Sequence, residues 1–347
     1  MRTTREVRVV RRPEGGLRES DLEVVETAVP ALRDGQVLVR TTHHSVDAAV
    51  RLRLDPVSPP GYLPAFELGA GIEGLAVGTV LESRADGFAV GDLVQHARGY
   101  RELAVVEARG AALGGAGMLA RLDPTLAPPQ VHVGLLGGTG LTAWAGIVAV
   151  ARAQPGETVW VSAAAGAVGS VAAQLARARG CRVVGSAGGP EKVAYLLDHL
   201  HLDAAFDYRA GLTAGLETAA PDGVDVYFDN VGGDHLAAAL DHLRPFGRVA
   251  LCGAIAGYDT EPAPGPHNLF QATSKNLTLQ GFRAGAHAAR ADEARAELAG
   301  LWRDGRLRLD VASYAGLDLA PRAIVDLLAG RTRGKCVVET TEPADGD

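Results

Sequence analysis

Trp160-Val-Ser-Ala-Ala-Ala-Gly-Ala-Val-Gly-Ser170 decides how this chain folds. An apolar strand-like run ends there in small residues, and an Ala/Val-rich helical run follows from Val168. Gly166 and Gly169 stand where the chain turns sharply from strand to helix. Such a turn brings backbone N–H groups close to a pyrophosphate and aims a helix N-terminus at its charge. The spacing Ala163-x-x-Gly166-x-x-Gly169 is a variant of the three-glycine fingerprint, weak alone in a Gly/Ala-rich chain. Its flanks strengthen it: Val159–Ala163 reads as one strand, Cys181–Ala187 as the next, and the helix lies between. Ala165, Gly166, Ala167, Val168 and Gly169 are therefore candidate dinucleotide contacts. A tight strand–helix turn with no ligand is the alternative.

Outward from this unit the alternation continues. Strands are expected at Arg182–Ser186, Ala205–Tyr208, Val224–Phe228, Arg248–Cys252 and Leu277–Phe282. Helices are expected at Gly134–Val150, Pro190–Leu200, His235–Leu243 and Asp292–Trp302. Alternating elements imply parallel pairing with right-handed crossovers, hence α/β and a doubly wound parallel sheet. From Val7 to about Arg121 the pattern is different: short strands broken by Gly and Pro, as in Gln36–Thr41, Val77–Ser83, Asp92–Gln95 and Leu103–Val106. This predicts a mostly antiparallel β domain over 1–125. It is rejoined by 307–347, with a helix at Ala320–Leu328 and a strand at Lys335–Glu339, and it carries 126–306 as an insertion. The two domains are expected to leave a cleft at the carboxyl ends of the parallel strands.

With 347 residues the chain can form two cores, and its 47% hydrophobic and 22% charged residues suit a water-exposed globular protein. A net charge of −7 and no basic patch argue against nucleic acid. No apolar run reaches membrane-spanning length and the first residues lack a signal-peptide core, so the expected location is cytoplasmic. Cys181, Cys252 and Cys336 lie in apolar strand-like runs and read as buried free thiols. The tail Glu342–Asp347 reads as disordered.

The end of the second strand reads the ribose next to adenine, where a carboxylate would select NAD. Here Val183-Val-Gly-Ser-Ala-Gly-Gly-Pro-Glu-Lys192 has no acid. Ser186 and Gly188 leave room, and Lys192 opens a helix, where a cation is favoured only if an anion such as a 2′-phosphate joins it. NADP(H) is the expected cofactor; an ordinary solvated Glu191–Lys192 pair is the alternative. Asn230, with Gly232 and Gly233, follows a strand end where backbone passes close to a ligand, or else forms a tight turn.

The chain resembles the zinc-independent medium-chain dehydrogenase/reductases, in the prostaglandin reductase / alkenal double-bond reductase branch. The carrying segments are Phe66-Glu-Leu-Gly69, Ala163–Ser170, Gly188-Gly-Pro-Glu-Lys192, Val226-Tyr-Phe-Asp-Asn-Val-Gly-Gly233 and Leu251-Cys-Gly-Ala-Ile-Ala-Gly-Tyr258. The resemblance implies a Rossmann cofactor domain inserted into a GroES-like catalytic domain, and a homodimer. It implies NADPH-dependent reduction of a carbon–carbon double bond conjugated to a carbonyl, so the expected partner is a small-molecule enal or enone. Lys192, Tyr208 and Asn230 match cofactor-holding positions. Cys252, Gly253, Ala254 and Ile255 match the loop beside the nicotinamide ribose, with Phe282 and Thr332 as further contacts. Tyr258 matches a tyrosine implicated in catalysis.

Departures fall on the substrate side. Val46-Asp-Ala-Ala-Val-Arg51 stands where the family reads Val-Asp-Pro-Tyr-Met-Arg, so Ala48 and Ala49 replace Pro and Tyr. Gly281-Phe-Arg-Ala-Gly285 replaces a more aromatic run, and Thr332 replaces an Asn. Ala49, Tyr62, Tyr100 and Arg283 are the candidate pocket residues, with the stiff run Pro262-Ala-Pro-Gly-Pro266 as one wall. A quinone reductase, or a redox-neutral tailoring enzyme keeping bound NADP, is the alternative activity. No metal is expected: His43 and His44 are adjacent on a strand and face opposite ways, Glu67 and Glu73 have no neighbouring His, and no Cys-x-x-Cys occurs. Ser162 and Ser170 lack the context of a hydrolase nucleophile.

Overall fold

The computed structural model describes residues 2–108, 118–259 and 265–340. The tail and residues 262–264 of the predicted proline-rich wall lie outside these. Two compact units divide the chain, Met1–Gly138 with Val311–Asp347, and Thr139–Asp310.

In the first unit β1 (Thr3–Val9) and β2 (Leu22–Ala28) pair antiparallel in register from Thr3–Ala28 to Val9–Leu22. The larger sheet uses β3 (Gln36–Ser45), β4 (Ala76–Ser83), β5 (Leu93–His96), β6 (Leu103–Glu107) and β7 (Leu119–Arg121). The short helix α1 (Pro129–Val133) begins on a proline, which suits a first helical turn. An uninterrupted helix over Gly134–Val150 does not form. The chain breaks at Gly134, and a Cβ at Gly137 would stand 2.5 Å from the His132 carbonyl oxygen, a turn too tight for any other residue. Helix α2 (Gly138–Trp144) follows and loosens into π-type turns through Val150.

The second unit holds β8 (Thr158–Val161), α3 (Ala167–Ala178), β9 (Arg182–Ala187), α4 (Pro190–Ala194), β10 (Ala204–Asp207), α5 (Leu212–Ala219), β11 (Val224–Asp229), α6 (Gly233–His242), β12 (Leu243–Leu251), α7 (Phe270–Ser274), β13 (Thr278–Gly281) and α8 (Ala291–Arg303). Its strands run parallel in the order β10-β9-β8-β11-β12-β13. Every residue of β8 is buried, as a central strand covered on both faces requires. Trp160 stacks on Tyr227 at 4.3 Å within a core that also holds Val184, Leu216 and Leu243. The expected helix over Pro190–Leu200 is α4 continued by a π-type turn, Tyr195–His199.

The chain then returns to the first unit with β14 (Val311–Ala315), α9 (Ala320–Leu328) and β15 (Lys335–Glu339). β15 pairs antiparallel with β3, opposite His43–Ser45, and completes the order β14-β15-β3-β4-β5-β7. No helix among the described residues is long and apolar enough to cross a membrane.

Candidate cofactor site

Between β8 and α3 the chain turns through Ala163, whose φ of +48° is a left-handed backbone that few non-glycine residues adopt. The turn is pinned on both sides: Ala164 N–H donates to the Ser186 carbonyl (3.0 Å) and Gly166 N–H to the Ala163 carbonyl (2.9 Å). Gly169 packs so closely that a Cβ would stand 2.3 Å from the Ala163 oxygen. No side chain caps α3 at Gly166, so its first-turn N–H groups have no side-chain partner. A backbone cradle with no room for a Cβ at Gly169, closed by a helix start, suits a pyrophosphate. Ala165 is buried at its base.

Where β9 ends, Gly188 and Gly189 (φ +96°) lead into α4, whose first turn carries half-buried Lys192. The neighbouring acid, Asp207 at the end of β10, accepts backbone hydrogen bonds from Gly189 and Arg209, and these hold its carboxyl below the usual range. Tyr208 packs edge-on against His235 at 5.0 Å. Ser186 is fully buried and its hydroxyl accepts the Trp160 indole N–H at 3.1 Å, so its side chain serves the core. Arg209 was not anticipated from the sequence. Its guanidinium packs against Gly188, with Nε 2.9 Å from where a Cβ would sit and Cζ 5.8 Å from the Tyr208 ring centroid, which places a cation at the end of β9. Its position directly after Tyr208 was the available signal.

At the end of β11 the Asp229 carboxylate accepts Tyr227 Oη–H (2.8 Å), Val231 N–H (2.9 Å) and Gly232 N–H (2.8 Å). Asn230 is fixed by its Nδ2 donating to the Ser162 carbonyl at 2.7 Å. At the end of β12, Cys252 and Gly253 donate their N–H groups to the Asp229 carbonyl. Tyr258 folds back over this loop, its hydroxyl accepting Ala254 N–H at 3.2 Å. Burial is the main force raising the Tyr258 pKa, and it pushes the Cys252 thiol up to about 12. Both stay protonated at neutral pH, so Tyr258 keeps a proton to donate while its oxygen accepts Ala254. Ile255 opens a short 3-10 turn. Phe282 packs edge-on against Phe228, and both crowd Gly146, where a Cβ would meet Phe228 at 2.3 Å. Arg283 is exposed.

In the first unit, Ala48 and Ala49 begin a 3-10 turn, Ala48–Arg53, half-buried. Asp47 just before it pairs with Lys335, whose Nζ is fully buried and donates to Asp47 Oδ1 and to the Val46 carbonyl, both at 2.8 Å. Tyr62 and Thr332 are half-buried. Tyr100 corrects an expectation: it is wholly enclosed in the core of this unit, its hydroxyl donating to the Ser45 carbonyl at 3.1 Å, so it does not line a pocket. His44 and His96 are buried too, and desolvation lowers each to about 3, which leaves them neutral. No cluster of three or more His, Cys, Asp or Glu among the described residues is placed to hold a metal ion.

Residues 5–113 match a family model described as the N-terminal domain of oxidoreductase, and residues 167–299 one described as zinc-binding dehydrogenase. The NADP(+)-dependent 2-alkenal reductase of Nicotiana tabacum is 36% identical, over 92% of this chain and 93% of its own. Prostaglandin reductase 1 of Mus musculus is 34% identical, over 94% and 96%. The crystal structure of CurA from Vibrio vulnificus in complex with NADPH superposes with a TM-score of 0.89 at 29% identity, covering 98% of this chain and 100% of that one. The chain belongs to the medium-chain dehydrogenase/reductase family, alongside the prostaglandin and alkenal reductases.

Proposed function

We propose that this family member is an NADPH-dependent reductase of the carbon–carbon double bond of α,β-unsaturated carbonyl compounds. The Nicotiana tabacum relative is an NADP(+)-dependent 2-alkenal reductase and the Mus musculus relative a prostaglandin reductase, and the cradle at Ala163–Gly169 suits the cofactor's pyrophosphate. Lys192, Tyr208 and Arg209 form the cationic and hydroxyl group for a 2′-phosphate at the end of β9, where the nearby Asp207 is already engaged by backbone N–H groups. Bound NADPH would supply a hydride for the substrate's β-carbon.

The observation that carries the reading is the Tyr258 hydroxyl, protonated and held by Ala254 beside the loop at the end of β12. As hydride reaches the β-carbon, charge gathers on the carbonyl oxygen, and Tyr258 donates to it, directly or by orienting a ribose hydroxyl. Protonation of the α-carbon, by water or by a side-chain acid, completes the reduction. Ala48 and Ala49, where the resemblance implies Pro and Tyr, remove side-chain bulk from their 3-10 turn, and we read this as favouring branched or cyclic enones.

The dimer expected from the resemblance finds support in β13, an edge strand of the parallel sheet, and in exposed Phe246, Leu269 and Phe270 on segments adjoining it. The test of the activity is NADPH consumption against enals, cyclic enones and quinones, repeated with Tyr258→Phe. A direct donor's loss costs about a hundredfold in turnover, and an indirect one about tenfold. Wild-type rates in Tyr258→Phe refute the catalytic role; turnover of quinones alone refutes the substrate class.

A further inference from the structure

Three neighbouring strands, β8, β11 and β12, end at one buried carboxylate. Asp229 is 1% exposed, and no cationic side chain pairs with it among the described residues. Dipoles alone surround its carboxyl: the Tyr227 hydroxyl and the N–H groups of Val231 and Gly232 all meet Oδ1. Behind Tyr227, with 3.0 Å between the two hydroxyl oxygens, stands Ser162 Oγ, which accepts Asn230 N–H at 3.0 Å. The Asp229 carbonyl holds the Cys252 and Gly253 amides at 2.9 and 3.0 Å. Burial raises the carboxyl's pKa while these donors pull it back; Cys252 and Tyr258 are raised first by burial and, to a lesser extent, by Asp229.

An asparagine would accept the same N–H groups without the desolvation that an unpaired buried anion suffers. An acid kept here in place of an amide therefore invites an electrostatic role. Dipoles stabilise a charge without cancelling it as a cation would, so the field extends to the loops at 230–232 and 252–258.

We propose that Asp229 is a tuning residue whose fixed negative charge makes this site favour oxidised over reduced nicotinamide, and so strengthens the bound cofactor as a hydride donor. The inference rests on the reading that the nicotinamide half of NADP(H) lies against the 252–258 loop. When a hydride, two electrons with one hydrogen, passes to the substrate's β-carbon, the donor ring changes from neutral to cationic. The electron pair of the broken double bond moves to the carbonyl oxygen, and a proton from water or a side-chain acid completes the α-carbon. A nearby anion lowers the free energy of the cationic side of that exchange.

Dissociation constants of NADP+ and NADPH, measured separately by calorimetry, test this without turnover. In Asp229→Asn the ratio Kd(NADP+)/Kd(NADPH) is expected to rise on the order of tenfold, the effect of one unit charge through a partly polar interior. Asp229→Ser, neutral and smaller, is expected to shift it the same way. Tyr227→Phe keeps the charge but removes a supporting donor, so it should weaken both forms alike and leave the ratio within about twofold of wild type. Equal weakening of both forms in the two Asp229 variants makes the residue a structural support and overturns the proposal, as does a Tyr227→Phe shift as large as theirs. Wild-type protein that binds neither form refutes the cofactor reading itself, and this inference with it.

Discussion

Replacing Gly169 with alanine tests the cofactor cradle at its tightest point. The new Cβ would stand 2.3 Å from the Ala163 oxygen and 2.9 Å from both the Ala163 carbonyl carbon and Ala164 Cα. All three atoms are backbone, so no side chain can rotate away. Restoring the 3.0 Å minimum moves the start of α3 or the Ala163–Ala164 turn by about 0.7 Å. The turn is tied to β9 through Ala164 N–H and the Ser186 carbonyl, so the helix is the part that yields. Overpacking of this kind costs about 1–3 kcal/mol of stability. A first-turn N–H that met a phosphate oxygen at about 2.9 Å would then stand near 3.6 Å, beyond hydrogen-bond range. Losing one charge-assisted bond costs about 1.5–3 kcal/mol, or roughly ten- to hundredfold in NADPH affinity. Gly166 is the internal control. A Cβ there meets only the Ala163 oxygen, at 3.2 Å, and its φ of −86° suits any residue, so Gly166→Ala should lose under about 1 kcal/mol of stability. Fluorescence titration with NADPH and thermal denaturation read both variants. Wild-type affinity and melting in Gly169→Ala, or equal destabilisation by the two, would refute the cradle geometry.

Lys192→Ala should weaken NADPH about ten- to hundredfold and leave NADH nearly untouched, since only NADPH carries the 2′-phosphate; equal losses for both in competitive titrations would reject the role. Lys335→Met strands the Val46 carbonyl and Asp47. Because Asp47 keeps 40% of its side-chain surface, we expect a loss of about 2–3 kcal/mol, at the low end for a buried pair. The Asp47 carboxyl is lowered by Lys335 against the opposing effect of burial, so its stabilisation is full above its ordinary value of 3.8 and fades as pH falls through its depressed native value. Denaturant melts from pH 7 down to pH 2.5 should show that acid step in wild type and not in Lys335→Met. Light scattering at micromolar concentration should give twice 35.9 kDa, and substituting Phe246 and Phe270 with serine should shift it to the monomer.

The parallel sheet was legible because its strands are short apolar runs separated by helices with glycine or proline at their starts, and those signals are local. The break at Gly134–Gly138 was not, since apolar periodicity runs straight through it and only the close approach of Gly137 to His132 forbids a continuous helix. The site divides likewise. Ala163–Gly169 and Asn230 announce themselves by glycine spacing, whereas Ser186 and Tyr100 have residue types that fit a site equally well as a core. Their hydrogen bonds to Trp160 and Ser45 decide that, and those partners lie 26 and 55 residues away. Tyr227 among apolar neighbours reads from the sequence as packing, and its hydrogen bond to Asp229 is not foreshadowed there.

The pairing of β15 with β3 joins residues nearly 300 positions apart and leaves 139–310 as one uninterrupted stretch between them. On the ribosome, the inserted unit has all of its strands before the surrounding one has its last two. The N-terminal strands therefore wait with the His43–Ser45 end of β3 unpaired on one flank until the final forty residues emerge. The order of maturation is thus the reverse of the order of synthesis. A truncation that removes only β15 would leave the complete parallel-sheet unit attached to an aggregation-prone partial sheet.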